Sequence, residues 1–431
     1  MPLSMYNHIL LKEFGRGKMR QEFFKENRKR LLEIMPENSI CILFSGKPVQ
    51  KSADECYPFI PNRNFYYLTG LTRENLVLML TRTNKKTNEY LWIEKGNPEL
   101  ARWVGEKICK EDSERISGIK LIEYIDSFES SLHRELLTLP YPDVYLDLER
   151  RSWKDQESHS QVFADHMLRK YPFLNIQNAY HIISDLRRIK TPDEVVKIRK
   201  AIEITHNGLN HVLKHCKPGM KEYELEAYFD FILRSHGVKE HAFQTIAACG
   251  INASTLHYCE NNCETKRGDL ILLDLGAQFE WYNSDITRTV PVTGKFTSRQ
   301  KDLYQIVLDA QLKVIETIKP GLPYKNLNET CKYHLAKGCQ TIGLIKEDIE
   351  LQEFYFHGVS HYLGLDTHDV GRFDDLRPGM VLTVEPGLYL REENLGIRIE
   401  DNILVTDKGH ENLSKEIPKT ISDVEEWMAR K

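Results

Sequence analysis

The second half of the chain repeats itself, and this narrows the folds open to it more than any other feature. A helix opens at Thr191-Pro192-Asp193-Glu194. Thr191 can cap, Pro192 suits the first helical position, and Glu194 completes a capping box. The helix carries Val195, Ile198, Ile202, Leu209, Val212 and Leu213, and stops at Lys217-Pro218-Gly219, where proline and glycine cannot continue it. A second helix opens near Thr297 and stops at Lys319-Pro320-Gly321, 102 residues after the first stop. Another helix follows each stop, over 221–236 and 323–337, and these end at Gly237 and Gly338. Two pairs of apolar runs come next. RGDLILLDLGA (267–277) precedes SDITRTVPV (284–292), and RPGMVLTVEPGLY (377–389) precedes GIRIEDNILV (396–405), an offset of 110 residues. The pattern predicts two related helix–helix–hairpin units about an approximate two-fold axis. The sequence alone leaves open a chance likeness between two α+β stretches.

Acidic residues interrupt these runs. Asp274 ends LILLDLG and Glu385 ends MVLTVEPG. A lone carboxylate in a buried strand is costly unless it is paired or bound to a metal. The repeat aligns the two, and each has a second acid on the following strand, Asp285 in SDITR and Glu400 in RIED. If both units bring their pair to one axis, four carboxylates converge. Such a cluster needs cations to stay ionised in a cavity, and two divalent metals would neutralise it. Oxygen-rich ligation favours hard ions such as Mn²⁺, with Co²⁺, Fe²⁺ or Zn²⁺ open once a histidine joins. HGVSHYLGLDTHD supplies His357, His361 and His368, and His361 follows His257 by 104 residues, as a pseudo-symmetric partner would.

Other patterns carry less. The HxxxH of HGVSH lacks the glutamate of a zincin helix. CENNC (259–263) has no second cysteine pair and reads as incidental thiols. His206, His211 and His215 ride the long helix as surface or packing residues, and GRGK (15–18) lacks the length and strand context of a phosphate loop. A net charge of −4 offers no basic surplus for nucleic acid, and no apolar run approaches the roughly 20 residues of a membrane span. Nine cysteines in 431 residues predict reduced thiols and a cytoplasmic home. The N-terminus lacks the apolar region of a secretory signal, and its first 18 residues read as a flexible extension. In the first half, RQEFFKENRKRLLEI (20–34) is an amphipathic helix with Phe23, Phe24, Leu31 and Ile34 on its apolar side. Strands over 39–46, 75–82, 89–94 and 143–148 alternate with helices around 98–110 and 126–139, which predicts an α/β layer domain. Residues 171–182 form the junction.

The strings LLDLGAQFEWYNSDITRTVPVTGKF, FHGVSHYLGLDTHDVG, RPGMVLTVEPGLY and GIRIEDN resemble those of the aminopeptidase P family. This is the Xaa-Pro aminopeptidase branch of the pita-bread metallopeptidases, which also include methionine aminopeptidase, prolidase and creatinase. KSADECYPFIPNRNFYYLTGL resembles the creatinase-type N-terminal domain of that branch. The resemblance implies an α+β fold, with a pita-bread catalytic domain over 178–431 and a smaller α/β creatinase-like domain over 19–177. It implies that Asp274, Asp285, His361, Glu385 and Glu400 hold two divalent ions, with Mn²⁺ expected, and that Asp285 and Glu400 bridge them. His257 and His368 would hydrogen-bond the substrate carbonyl or the tetrahedral intermediate, and His357, Tyr389 and Arg398 would line the proline pocket. Hydrolysis of the N-terminal Xaa-Pro bond through a metal-bridging hydroxide would follow, with Glu385 as proton shuttle and Arg398 orienting the bridging carboxylates. The partners implied are peptides with proline second and further copies of the chain, as a homodimer or homotetramer. Trp103 in ARWVGE matches a tryptophan that oligomeric relatives lend to a neighbouring subunit's site. The chain departs from some relatives at Phe243, where they carry a tyrosine, and in its short segments from Tyr389 to Gly396 and after His368. Prolidase, which takes dipeptides only, shares the same ligand set. A non-catalytic pita-bread binding protein is the other rival, and the five intact ligand types speak against it.

Overall fold

The computed structural model describes residues 19–83, 86–139 and 142–429, so GRGK and the N-terminal extension lie outside the described residues. The chain divides into two compact units, Met1–Arg187 and Arg188–Lys431.

The first unit is built on a six-stranded mixed sheet. Its elements in order are α1 (Gln21–Ile34), β1 (Ser39–Phe44), α2 (Arg63–Thr69), β2 (Val77–Thr83), β3 (Lys86–Ile93), α3 (Pro98–Val104), α4 (Lys110–Ser117), β4 (Leu121–Tyr124), α5 (Phe128–Thr138), β5 (Asp143–Leu146), α6 (His159–Lys170), β6 (Asn175–Asn178) and α7 (Tyr180–Arg188). The strand order is β4-β3-β2-β1-β5-β6. β1 runs antiparallel to β2 and parallel to β5. Every residue of its SICILF run is buried, as a continuous apolar strand demands. On one face Ile40, Ile42 and Phe44 pack with Phe128, Leu132 and Leu136 of α5 and with Ala164 and Met167 of α6. The spacing of three and four puts each helix's set on a single face.

Several expectations for this unit change. Ile34 is 53% exposed rather than on the apolar side of α1. The helix expected around 98–110 is two helices, separated after Val104 by Gly105 at φ +83°. β4, α6 and β6 were not anticipated. The division between the compact units falls after Arg187, near the end of α7, and β6 pairs with β5 in the first unit's sheet.

The second unit passes twice through the same order of elements. α8 (Pro192–His215) and α9 (Glu222–Ser235) lead to β7 (Ile246–Cys249), β8 (Leu270–Leu275), β9 (Gln278–Phe279), β10 (Tyr282–Asn283) and β11 (Ile286–Pro291). α10 (Ser298–Thr317) and α11 (Lys325–Thr341) lead to β12 (Val381–Val384), β13 (Gly387–Leu390), β14 (Leu395–Arg398), β15 (Asp401–Thr406) and β16 (Gly409–Asn412), and α12 (Ile421–Ala429) follows. The expected caps form: Thr191 with Glu194 and Thr297 with Gln300 make reciprocal capping boxes. Both long helices end just before their Lys-Pro-Gly stops.

Two details differ. α11 runs through Gly338 instead of ending there. A Cβ at this position would meet Ile306 Cγ2 at 2.6 Å, so the glycine serves close packing of α10 on α11 rather than termination. The second pair of apolar runs is not one hairpin. β12 pairs with β15 and β13 with β14, and the breaks fall at Glu385-Pro386 and Ile399-Glu400. Pro386 has no N–H to continue the ladder. No helix among the described residues is long and apolar enough to cross a membrane.

Candidate metal centre

The expected carboxylates are delivered by strands and by the gaps between strands. Asp274 sits in the fully buried run of β8, with Ile246 of β7 and Thr287 of β11 opposite it on either side. Asp285 immediately precedes β11, while Glu385 and Glu400 occupy the two strand breaks described above. His361 lies in an irregular segment tied to β12: its N–H donates to Thr383 Oγ1 at 3.1 Å, and its carbonyl accepts the Thr383 N–H at 2.9 Å.

These five side chains converge. One donor atom each from Asp285, His361 and Glu400 lie within 4.8 Å of one another, a spacing that can hold a metal ion. His361 Nε2 is 3.4 Å from both Asp285 Oδ2 and Glu385 Oε1. His361 Nδ1 is 2.9 Å from the Tyr362 carbonyl, a contact that places a proton on Nδ1 and turns Nε2 towards the acids. Burial, followed by the negative charge of neighbouring acids, pushes Asp285 and Glu400 well above the usual carboxylate range. Burial raises Glu385 as well. Asp274 Oδ1 and Glu400 Oε1 are buried without a hydrogen-bond partner. Four carboxylates and one imidazole, two of the carboxylate oxygens orphaned, form a donor set that suits divalent cations.

A second layer fixes these groups. Arg398, 4% exposed, donates from Nη2 to Asp274 Oδ2 at 2.6 Å, from Nη1 to the Tyr389 hydroxyl at 3.1 Å and from Nε to Thr287 Oγ1 at 3.2 Å. Burial opposes its charge, but the Tyr389 hydroxyl and the negative charges of Asp274 and Glu385 outweigh burial and hold it firmly protonated. The Thr287 hydroxyl donates to Glu400 Oε2 at 2.8 Å. Burial raises the Tyr389 phenol to about 12 and lowers the His357 imidazole to about 4. Both are therefore neutral near pH 7. His357 Nδ1 is 2.8 Å from the Gly358 carbonyl, so Nε2 is the acceptor for the Tyr389 hydroxyl at 2.8 Å. His357, Tyr389 and Arg398 thus form one chain of hydrogen bonds ending on Asp274.

The other two expected residues lie at the rim. His368 is exposed, with its ring 4.3 Å from that of His361 in an edge-to-face arrangement. His257 is exposed. It is not placed as His361 is, whose Nε2 lies 3.4 Å from two of the acids. His211 and His215 pack with Tyr228 and Phe231, and His206 packs with Trp427, away from this centre. All nine cysteines are free thiols.

Thr287, Thr289 and Asn402 were not singled out from sequence. The Asn402 side chain clasps the Asp285 backbone, accepting from its N–H at 3.2 Å and donating to its carbonyl at 2.6 Å. Thr289 Oγ1 exchanges hydrogen bonds with the Arg398 backbone at 3.0 and 3.1 Å. The usable signal was alternation: 285, 287 and 289 share one face of an extended strand.

Residues 196–407 match metallopeptidase family M24, and residues 24–144 match the aminopeptidase P N-terminal domain. The Xaa-Pro aminopeptidase of Haemophilus influenzae is 34% identical over 433 residues, covering 96% of this chain and 98% of that protein. The chain belongs to the aminopeptidase P family of metallopeptidases. A candidate aminopeptidase P from Bacillus anthracis shares its structure with a TM-score of 0.94 at 50% identity, covering 96% of this chain and 99% of that one. Escherichia coli aminopeptidase P with the inhibitor Pro-Leu has a TM-score of 0.89 at 30% identity, with the same coverage. The pita-bread unit preceded by an α/β domain, expected from the motifs, is the architecture of this aminopeptidase P family member.

Proposed function

We propose that the chain is a dinuclear-metal aminopeptidase that hydrolyses the bond between an N-terminal residue and a proline in second position. The observation that carries this reading is the convergence of Asp285, His361 and Glu400, with Asp274 and Glu385 beside them, in a family of Xaa-Pro aminopeptidases.

Asp274, Asp285, His361, Glu385 and Glu400 would hold two divalent ions, Mn²⁺ by the hardness of the oxygen donors. When bound, the ions neutralise the acids and make a water molecule acidic enough to attack an amide near neutral pH. The chain's own groups do the rest. Arg398 holds Asp274 in one orientation, and Thr287 does the same for Glu400. Glu385 is the proton carrier: Oε1 is 3.4 Å from both Thr383 Oγ1 and His361 Nε2, and the opposite oxygen faces His357 at 3.9 Å. It takes the proton of the attacking water and delivers it to the leaving nitrogen. That nitrogen comes from a proline imide without an N–H, so it must be protonated to depart. His257 and His368, exposed at the rim, donate to the carbonyl oxygen as negative charge develops there. His357 and Tyr389, neutral and tied together, wall the proline ring with the Arg398 stem.

The assembly is a homodimer or homotetramer. Trp103, 87% exposed on a helix with no buried residue, is available to a neighbouring subunit. Free thiols throughout support a cytoplasmic setting. The test is hydrolysis of Xaa-Pro and Xaa-Pro-Yaa-Zaa panels by chelated protein reloaded with Mn²⁺, Co²⁺ or Zn²⁺. Release of the first residue from the longer peptides is expected. Cleavage of dipeptides alone makes the chain a prolidase, and no turnover with any ion sinks the enzymatic reading.

A further inference from the structure

Glu222, the first residue of α9, is fully buried and lies apart from the five acid-cluster residues in sequence and in hydrogen bonding. Its Oε1 accepts from the Cys249 N–H at 2.8 Å and from Asn252 Nδ2 at 3.0 Å. Its Oε2 accepts from the Tyr258 hydroxyl at 2.8 Å and from the Cys263 N–H at 2.9 Å. A carboxylate offers about four lone-pair sites, and all four are met by donors. Those donors bracket His257, with two before it in the chain and two after, one of them its immediate neighbour. One helical turn further on, Glu226 Oε2 accepts from Asn261 Nδ2 at 2.9 Å. Asn261 in turn accepts the Ala247 N–H and donates to the Thr245 carbonyl. The segment between β7 and β8 has no strand ladder of its own. Backbone bonds hold its far end, Glu222 N–H to the Cys263 carbonyl at 2.9 Å and Thr265 N–H to the Met220 carbonyl at 2.8 Å, and the side-chain bonds above add anchors on both sides of His257. Leu256, Tyr258 and Cys259 pack against a small core that includes Tyr389, which joins the segment to the wall of the site. The base of the segment is therefore fixed while the His257 imidazole stays open to solvent.

We propose that Glu222 is the positioning residue for His257, holding the segment so that the exposed imidazole meets the substrate carbonyl. The inference rests on the substrate-contacting role given to His257 above. Its chemistry makes a sharp test possible, because Glu222→Gln keeps the shape but turns an amide NH₂ towards two of the four donors. The experiment compares kcat and KM on an Xaa-Pro-Yaa peptide for wild type, E222Q, H257A and the double variant, all loaded with Mn²⁺. E222Q is expected to lower kcat/KM by about 10- to 100-fold, the loss that follows small misplacement of a reacting or supporting group. Calorimetric Mn²⁺ affinity should stay within about twofold, since Glu222 bonds none of the five acid-cluster residues. In the H257A background the same substitution should cost less than about threefold. An equal loss with and without His257, or a fall in Mn²⁺ affinity matching the fall in activity, would overturn the proposal. Tyr258→Phe removes one of the four bonds and runs through the same cycle, with a smaller loss expected, should E222Q fold poorly. Full activity in H257A alone would instead sink the role assigned to His257, and this proposal with it.

Discussion

Replacing Thr287 by valine should damage both the stability of the metal-free protein and its hold on cations. Thr287 is fully buried in β11, where a β-branched residue of similar size fits the strand without a cavity. Its hydroxyl donates to Glu400 Oε2 at 2.8 Å and accepts from Arg398 Nε at 3.2 Å. Glu400 Oε1 already has no partner, so the valine variant takes a donor from an underprovided buried carboxylate. A hydrogen bond to a charged group contributes about 1.5–3 kcal/mol. The Arg398 N–H left behind pushes the cost towards the upper end, about 3 kcal/mol. At about 2–4 °C per kcal/mol for a unit of this size, the melting transition of the chelated protein falls by about 6–12 °C. Glu400 also loses the group that orients it, which for outer partners of metal ligands typically costs about 10- to 100-fold in affinity. Urea unfolding in chelator gives the first quantity and Mn²⁺ titration calorimetry the second. If Thr287→Val stays within about 0.5 kcal/mol of wild type and binds Mn²⁺ equally well, the hydroxyl bridge between Arg398 and Glu400 contributes nothing and the reasoning fails.

Three further outcomes are expected. Asp285→Ala should abolish both Mn²⁺ uptake and peptide hydrolysis; retained activity would remove Asp285 from the centre. Adding Mn²⁺ to chelated wild type at about 100 times its Kd should stabilise the second unit by about 2.7 kcal/mol per site, read as a rise in melting temperature that D285A does not show. Glu425 accepts from Lys295, Lys301 and the Phe296 N–H, which outweigh burial and hold its pKa below the usual value. A depressed carboxylate stabilises the fold above its unfolded pKa, near 4.3, and that contribution is lost as pH falls through the folded value. E425Q should thus be less stable than wild type by about 0.5–1 kcal/mol at pH 7, and the difference should shrink as pH falls below about 4, by urea unfolding across that range.

What could be read from the sequence was what short stretches spell out. Thr191 and Glu194, three residues apart, announce a helix start through bonds they make to each other. Asp274 inside LILLDL is conspicuous because its neighbours are certain to be buried. α6 carried a comparable signal, Ser158 with Gln161, which was not singled out from sequence. β6, NIQN, has no apolar alternation to report, and only pairing with β5 makes it a strand. Gly338 looks like a terminator until Ile306, on another helix, claims the space beside it. Alternation with Asp285 put Thr287 on the right face, but its partners and those of Asn402 were hidden for the same reason. Those partners lie more than a hundred residues away, and only the register between the two halves brings them together.

That register explains how a costly cluster can exist before any cation arrives. Asn402 clasps the Asp285 backbone, and the Glu400 N–H donates to the Thr287 carbonyl at 3.1 Å, so Asp285 and Glu400 are joined through the main chain. The Glu385 N–H donates to the Val359 carbonyl, and Thr383 exchanges bonds with the His361 backbone, so His361 and Glu385 are joined in the same way. Asp274 is held by Arg398. None of these contacts uses the lone pairs that a cation would take, apart from the one Asp274 oxygen given to Arg398. The repulsion among the acids therefore acts on side chains whose backbones are already pinned, and it cannot be relieved by letting the segments drift apart. Burial and the crowding raise the proton affinity of Asp285, Glu385 and Glu400 instead, and a site already held in place is the condition under which cations bind without first having to order the chain.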